Sequence, residues 1–216
     1  MKHFALPRSL VDREYFILEA CKGKDVLHLG CVDFPFTASQ IQSGYWLHSQ
    51  ITAVANQCVG VDLDAETIEV LRREHGVTNI VAGDAERLEK LDIGLFDVIV
   101  AGELIEHINN FGLFLSSAKS RMKPDGKLII STPSAFALRR FVRIPFGKES
   151  VHPDHVCYFS HPTLENLVKR FGYKLVEAHS YKAPDRNILI NSIFEKIATT
   201  ITPNWGEGIL HVYIKD

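Results

Sequence analysis

The chain contains 216 residues, of which 46% are hydrophobic and 23% are charged, and its formal net charge is −2. This length suits one domain with a complete core, and this composition excludes a largely disordered protein. The almost neutral net charge excludes a general electrostatic attraction to nucleic acid or to anionic membranes. Any such contact would need a local charged patch, and we expect no nucleic acid partner.

No apolar run approaches the roughly 20 residues that a membrane-spanning helix requires. The four cysteines are Cys21, Cys31, Cys58 and Cys157, and they include no Cys-x-x-Cys pair. Because no secretory leader is recognised either, we expect reduced thiols and a soluble, cytoplasmic protein without a transmembrane segment.

Short apolar runs alternate with longer amphipathic stretches, which is typical of a parallel sheet covered by helices. The runs lack strict alternation, as in strands buried on both faces, and predict strands over residues 25–29, 57–62, 79–82, 96–101, 127–132, 173–181 and 208–214. The stretches between them predict helices over residues 9–21, 37–56, 65–75, 110–122, 162–171 and 188–201. The expected fold class is α/β, a Rossmann-like three-layer sandwich with a mostly parallel seven-stranded sheet and an antiparallel last strand.

Polar residues stand where the first four predicted strands end, and ligands of open α/β sheets bind beyond these carboxyl ends. Asp62 closes the second strand, where a carboxylate can accept hydrogen bonds from both hydroxyls of a ribose. Asp84 follows the third strand, where an acid can accept from the exocyclic amine of adenine. These two positions predict a pocket for an adenosine.

The order of these segments resembles the class I S-adenosylmethionine-dependent methyltransferases over about residues 24–177. The stretches FDVIVAGELIEHI and MKPDGKLIISTP are similar to the fourth and fifth strands of that family. The resemblance implies S-adenosylmethionine as cofactor, with Asp62 on the ribose, Asp84 and Ala85 near the adenine, and the Gly30 turn against the methionine moiety. The predicted cofactor-binding residues are Gly30, Cys31, Asp62, Leu63, Asp84, Ala85, Glu86 and Glu103.

The first loop departs from the pattern of the family, which has an acid in the strand and several glycines in the turn. This chain has His28 at the acidic position and Val32 and Phe34 where glycines are usual. Glycine allows a positive φ and a close approach of the backbone to a ligand, so these side chains must reshape the loop. We interpret His28 and His48 as buried polar residues rather than catalysts.

Glu103, Glu106 and His107 stand at positions i, i+3 and i+4, which share one face if a helix or turn begins there. We group His152 and His155 of the later excursion with them, because two carboxylates and several imidazoles can hold a divalent cation. An E-x-x-E-H segment with a later histidine also resembles the small-RNA 2′-O-methyltransferases and the ubiquinone-pathway O-methyltransferases. That resemblance implies Glu103, Glu106, His107 and His155 as ligands of a divalent metal. In the alternative, which we adopt, no metal is bound, and Glu106, His107 and His155 are the catalytic candidates, one of them acting as a general base.

The chain is expected to form a single methyltransferase domain, 1–216, with an acceptor-side excursion at 133–160 and a helical insertion at 183–205 before the last strand. Within the excursion, the histidines and the cysteine match no common zinc module and predict a polar loop over the site: His152, His155, Cys157 and His161. Its basic and aromatic residues predict a solvated helix face whose aromatic rings lie in the core: Arg139, Arg140, Arg143, Lys148, Phe136, Phe141 and Phe146.

The predicted function is methyl transfer from S-adenosylmethionine, with O-methylation of a small-molecule, lipid-like or glycan-linked acceptor favoured. Two alternatives stay open, a non-catalytic methyltransferase-like binding protein and a metal-assisted RNA 2′-O-methyltransferase. An NAD-dependent dehydrogenase is poorly supported, because no G-x-G-x-x-G follows the first strand. The apolar stripe of the helix at 188–201 predicts a core face, although a lid, a homodimer contact or a lipid-facing surface would give the same pattern.

Overall fold

The computed structural model describes residues 5–7, 9–142, 144–149, 151–182 and 202–216. Eight strands are present among them: β1 (Leu10–Val11), β2 (Asp25–Leu29), β3 (Gln57–Asp62), β4 (Ile80–Ala82), β5 (Phe96–Gly102), β6 (Met122–Pro133), β7 (Tyr173–Tyr181) and β8 (Gly208–Lys215). They form one sheet in the order β1-β7-β8-β6-β5-β2-β3-β4. Only β8 runs antiparallel to its neighbours, so the mostly parallel sheet with an antiparallel last strand is confirmed.

The prediction of seven strands is wrong, because the sheet has eight. The additional strand, β1, lies in a segment that was predicted as helix. Leu10 and Val11 pair in parallel with Ser180 and Tyr181 at the end of β7. The helix begins only after Asp12, whose carboxylate caps it by accepting a hydrogen bond from a main-chain N–H of the first turn. The N-terminal segment therefore reaches the same edge of the sheet as the ends of the long strands.

Helices cover both faces of the sheet, together with short 3₁₀ turns at 85–90, 105–107, 144–146 and 203–205. They are α1 (Arg13–Cys21), α2 (Thr37–Ser43), α3 (Leu47–Val54), α4 (Ala65–His75), α5 (Phe111–Arg121), α6 (Leu138–Phe141) and α7 (His161–Lys169).

The single helix predicted over 37–56 is wrong, because α2 ends at Gly44 in the left-handed conformation. The break lets Trp46 become buried, where its Nε1 donates to the carbonyl oxygen of Cys31 over 2.8 Å.

Alternate side chains of the central strands enter two separate hydrophobic clusters. Leu27 and Ile99 pack toward α5 and α7, whereas Val26 and Val98 pack toward α1 and α3. This period of two places both faces of the sheet in the core, as the unbroken apolar runs predicted.

His28 and His48 are both buried, with their Nδ1 atoms 3.3 Å apart, so their interpretation as core polar residues is confirmed. Burial lowers the pKa of His48 to about 4, which keeps this imidazole neutral.

Two predictions concern segments at the limits of the described chain. The helix predicted over 188–201 lies outside the described residues, and of the insertion at 183–205 only residues 202–205 are described, ending in a 3₁₀ turn at Pro203–Trp205. None of the helices in the described ranges is long and apolar enough to cross a membrane.

Candidate active site

The carboxyl ends of the central strands open onto one large cavity of about 1610 Å³. A pocket for one small ligand typically measures about 300–1,000 Å³, so this cavity has room for a cofactor and an acceptor side by side. All eight residues predicted to bind the cofactor line it, as do the catalytic candidates His107 and His155. Glu106, the third catalytic candidate, is not part of the lining.

The first loop keeps a tight turn at Gly30 although the glycines usual after it are missing. Gly30 has a φ of +67°, and a Cβ at this position would lie 2.9 Å from Cδ1 of Leu104. The main-chain N–H of Val32 donates to Oδ2 of Asp62 over 2.8 Å, while Phe34 is 72% exposed. The loop is therefore reshaped by a bond to the neighbouring strand end, with the large Phe34 side chain turned to solvent.

Asp62 is half-buried at the end of β3 and holds the two loops beside it. Its Oδ1 accepts from the main-chain N–H of Asp64 over 3.1 Å, in addition to the bond from Val32 to Oδ2. Burial raises the pKa of Asp62. Each carboxylate oxygen has a second lone pair, so both retain an acceptor site for a ribose hydroxyl.

The third loop is fixed by its own acidic residues. Asp84 caps the 3₁₀ turn at Ala85–Lys90, since its Oδ1 accepts from the N–H of Glu86 over 2.8 Å. Glu86 in turn accepts from the main chain of Asn110 through Oε1 over 3.0 Å. Ala85 is buried between these contacts. The loop thus presents a defined edge to the cavity.

Glu103 stands at the end of β5 in a strained conformation, with a φ of +53°. The hydroxyl of Tyr181 donates to its Oε1 over 2.5 Å, and Nε of Arg13 lies 3.9 Å from the same oxygen. Arg13 itself donates from Nε to the hydroxyl of Ser131 over 2.8 Å. Residues of α1, β6 and β7 therefore orient the Glu103 carboxylate.

Glu106 is completely buried and does not line the cavity. Its Oε2 accepts from the hydroxyl of Thr132 over 2.9 Å, and its Oε1 has no hydrogen-bond partner among the described residues. Burial, followed by the nearby charge of Glu103, raises the pKa of Glu106 to about 8. At neutral pH this carboxyl group is therefore mainly protonated.

Three histidines gather in the lining of the cavity. Potential ligand atoms of His107, His152 and His155 all lie within 4.8 Å of one another. Burial and the neighbouring imidazoles lower the pKa of His155 to about 4, and burial also lowers the pKa of His107. Both rings are therefore neutral at physiological pH, with a lone pair available on one nitrogen each.

The four metal ligands that the sequence resemblance implied do not come together. Glu103 turns to Tyr181 and Arg13, and Glu106 turns to Thr132, so neither carboxylate joins the histidine cluster found in the described chain. The spacing rule fails because the 3₁₀ turn begins at Ile105, while Glu103 before it is left-handed. A site made of these two carboxylates and two imidazoles does not fit this arrangement.

A family model described as a methyltransferase domain matches residues 14–178, which is most of the chain. The chain belongs to the methyltransferase-domain family.

Relatives of this methyltransferase-domain protein include a probable S-adenosylmethionine-dependent methyltransferase of Mycolicibacterium smegmatis, 26% identical over 155 residues. A ubiquinone biosynthesis O-methyltransferase of Xanthomonas oryzae is 30% identical over 125 residues. The matches cover 72% and 54% of this chain, and 54% and 47% of the two relatives. The chain thus spans about half the length of the curated relatives it matches.

Solved structures of methyltransferases share the fold of this domain. A SAM-dependent methyltransferase of Archaeoglobus fulgidus is 20% identical with a TM-score of 0.60, covering 94% of this chain and 91% of its own. The magnesium protoporphyrin IX methyltransferase of Synechocystis, with bound S-adenosylhomocysteine, is 11% identical with a TM-score of 0.58, covering 94% and 82%. The expected Rossmann-like α/β fold is confirmed by the sheet and by these structures, and the expected methyltransferase family is confirmed by the family model.

The prediction for the basic and aromatic part of the excursion is wrong for the residues whose side chains are described. Phe136, Phe141 and Phe146 are 52%, 46% and 76% exposed. Arg140 is instead largely covered, with its guanidinium 4.4 Å above the ring of Tyr158 and a donated bond to the carbonyl oxygen of Ser134. A helix of four residues, α6, is too short to bury a continuous face.

Two residues that contact Glu103 in the cavity lining escaped the sequence analysis because nothing local marks them. Arg13 and Tyr181 meet Glu103 only because β1 pairs with the end of β7. The sequence analysis grouped His152 with His107 and His155, and the structure brings these three histidines together. His161, from the same predicted loop, begins α7 and its Nδ1 lies 2.7 Å from Nε2 of His211. The loop histidines thus divide between two separate clusters.

Proposed function

We propose that the protein transfers the methyl group of S-adenosylmethionine to a hydroxyl of a small-molecule acceptor, lipid-like or glycan-linked. The sulfonium of the cofactor supplies an electrophilic methyl group, so the protein contributes mainly alignment, worth up to about 7–11 kcal/mol in well-oriented systems. The observation that carries this proposal is the single cavity, which joins the predicted cofactor residues on one side to neutral imidazoles on the other.

The cofactor side is assigned to the strand ends. Asp62 would accept from the ribose hydroxyls, the Asp84–Glu86 loop would face the adenine, and the backbone at Gly30 would approach the methionine moiety. Support comes from the left-handed turn at Gly30 and from the free acceptor sites on the Asp62 oxygens. Leu63, Cys31 and Glu103 complete the lining of this side.

The acceptor side is assigned to His107 and His155, one of which accepts the proton of the acceptor hydroxyl as the methyl group is transferred. His155 is favoured because its ring lines the cavity and is neutral, with one nitrogen lone pair available. Glu106 does not line the cavity, so we assign it as a positioning residue. Its carbonyl oxygen accepts from the N–H of Val156 over 2.9 Å and so fixes the loop that carries His155.

The excursion at 133–160 supports an acceptor with apolar character. Phe136, Phe146 and Val151 are exposed within it, and Val151 also lines the cavity. A relative named as a ubiquinone biosynthesis O-methyltransferase supports oxygen as the acceptor atom. The four free thiols support a reducing compartment, and we propose a cytoplasmic location for the single domain, 1–216.

A non-catalytic binding protein is the second candidate, favoured by the glycine-poor first loop. Isothermal titration with S-adenosylmethionine, S-adenosylhomocysteine and NAD tests the cofactor. Transfer of a labelled methyl group to phenolic, lipid and glycan hydroxyls then tests the activity. Binding of the first two ligands together with label in one hydroxyl acceptor class supports the proposal. Binding without transfer to any hydroxyl class would favour the binding protein, and no binding of either ligand overturns both.

A further inference from the structure

Large apolar side chains from three separate segments of the chain meet at one exposed patch. Leu6, Phe136, Phe141 and Trp205 are all exposed, and together they line a second, smaller cavity of about 230 Å³. The rings of Phe136 and Phe141 are stacked, with their centroids 6.1 Å apart. These side chains are therefore neighbours in space and not scattered surface positions.

The excursion extends this patch by further exposed apolar residues. Val142 follows α6 directly, and Ile144 and Phe146 belong to the 3₁₀ turn that contacts α6. Monomeric soluble proteins rarely expose large contiguous apolar patches, and such patches mark a contact with another protein or with a membrane. We call the exposed apolar side chains of this patch the apolar surface: Leu6, Phe136, Phe141, Val142, Ile144, Phe146 and Trp205.

The charge of the same segment favours one kind of partner. Residues 134–148 contain four basic residues and no acidic residue, whereas the whole chain has a net charge of −2. The basic residues interleave along the sequence with members of the apolar surface, and they are Arg139, Arg140, Arg143 and Lys148. Positive charge concentrated in this way is the local patch that an almost neutral protein needs for contact with an anionic membrane.

We propose that the apolar surface binds an anionic phospholipid bilayer. Segments that bind in the plane of a membrane combine Lys and Arg with Trp, Phe and Leu side chains, which enter the boundary between headgroups and acyl chains. A two-fold symmetric dimer through this surface would instead place the basic segments of both copies face to face, and like charges repel there. The bilayer satisfies both the apolar side chains and the charges.

The apolar surface adjoins the large cavity at two places along the chain. Pro133 lines the large cavity and Ser134 the small one, and Glu207 lines the large cavity two residues after Trp205 of the small one. Val151, shortly after the apolar surface, also lines the large cavity. A bound bilayer thus lies beside the large cavity. Given the proposed function, on which this step rests, a lipid-like acceptor enters the cavity from the bilayer.

Binding of the full-length protein to vesicles, without cofactor or acceptor, tests the docking directly. Co-sedimentation should show binding to vesicles of phosphatidylglycerol and phosphatidylcholine, and much weaker binding to vesicles of phosphatidylcholine alone. Phe146→Ser removes the most exposed ring of the apolar surface and should weaken binding by at least about 10-fold. Lys148→Ala removes one exposed charge and should weaken binding by about 5-fold at low salt.

Two substitutions at the opposite edge of the sheet serve as matched controls. Leu95→Ser removes an exposed apolar side chain just before β5, and Lys24→Ala removes an exposed cation just before β2. Both should bind the anionic vesicles like wild type, and melting temperatures check that all four variants fold. Equal binding of Phe146→Ser and wild type, equal binding of wild type to both kinds of vesicle, or no binding to either would overturn the proposal.

Tryptophan fluorescence locates the contact. The chain has two tryptophans, of which Trp46 is buried and Trp205 belongs to the apolar surface, so a blue shift of the emission on addition of vesicles reports Trp205. Sedimentation with vesicles but without this shift would place the contact elsewhere and overturn the assignment. A dimer that Phe146→Ser converts to a monomer, with no vesicle binding, would assign the surface to a second copy of the chain. Vesicle binding without any methyl transfer would support the docking and contradict the proposed function alone.

Discussion

The hydroxyl of Tyr181, at the end of β7, donates a hydrogen bond of 2.5 Å to Oε1 of Glu103, at the end of β5. This bond joins two strand ends that lie on either side of β6 and β8 in the sheet. It also holds the carboxylate of a residue whose φ of +53° is unfavourable for a side chain larger than glycine. The contact thus stabilises a strained residue in the lining of the cavity.

Replacement of Tyr181 by Phe should therefore destabilise the protein and loosen the Glu103 carboxylate. A hydrogen bond to a charged group contributes about 1.5–3 kcal/mol. Water can reach the carboxylate, whose side chain is 38% exposed, so we expect about 1 kcal/mol in urea unfolding. Tyr15→Phe, at an exposed tyrosine of α1, is the control and should leave stability unchanged. Identical unfolding curves for Tyr181→Phe and wild type would contradict the role of this bond.

Asp62→Ala should strongly weaken the binding of S-adenosylhomocysteine. The loss of hydrogen bonds to a charged carboxylate costs about 1.5–3 kcal/mol, which is about 10-fold to 150-fold in the dissociation constant. The variant also releases the N–H of Val32, so the first loop should loosen as well. Asp92→Ala, at an exposed acid outside the cavity lining, should bind like wild type in the same calorimetric titration. Equal affinities for Asp62→Ala and wild type would remove Asp62 from the cofactor site.

Gly30→Val should abolish the binding of S-adenosylhomocysteine and lower the melting temperature. The left-handed φ costs about 1–2 kcal/mol for a residue with a Cβ, and this Cβ would also meet Leu104 at 2.9 Å. Gly23→Val is a matched control, because Gly23 has a φ of +65° with open space around it. Both variants should lose stability, but only Gly23→Val should keep the thermal shift on addition of ligand. A ligand-induced shift in Gly30→Val would show that this turn does not contact the cofactor.

Sequence reasoning succeeded where a local pattern determines the structure. The buried strands were predicted from unbroken apolar runs. Asp62 and Asp84 were singled out because they stand at or just after the ends of those strands, and both line the cavity. Sequence reasoning failed where contacts between distant segments determine the local structure. The helix at 37–56 breaks so that Trp46 can fill space beside Cys31, and the orientation of Glu103 depends on the pairing of β1 with β7. No local pattern encodes either contact, since each depends on how the completed sheet brings the segments together.

Stability should fall as the pH rises from about 5 to about 8, because Glu106 binds a proton in the folded state that it has lost in the unfolded chain. Its pKa is about 8 when folded, against about 4.3 in an unfolded peptide. The unfolded state therefore releases a proton over this interval, which favours unfolding until both states are ionised. Glu106→Gln cannot ionise and should flatten this part of the profile in urea unfolding at pH 5, 7 and 9. Parallel profiles for the two proteins would show that Glu106 is ionised in the fold.

Methyl transfer should survive a chelator and decline at acidic pH. With His155 as the base, protonation of its ring removes the lone pair, so kcat/KM should fall as the pH drops through the pKa of about 4. His155→Gln keeps a polar side chain without a titrating ring, so its residual activity should lose this acidic limb. The measurement is the pH profile of wild type, His155→Gln and His75→Ala, each with and without chelator, with circular dichroism to exclude unfolding. His75→Ala is the control, because it removes an imidazole in the last turn of α4, outside the cavity lining. If the wild-type activity disappears with the chelator and returns with added metal, the reaction depends on a catalytic ion rather than on a histidine base. A bound metal can itself acidify the acceptor hydroxyl.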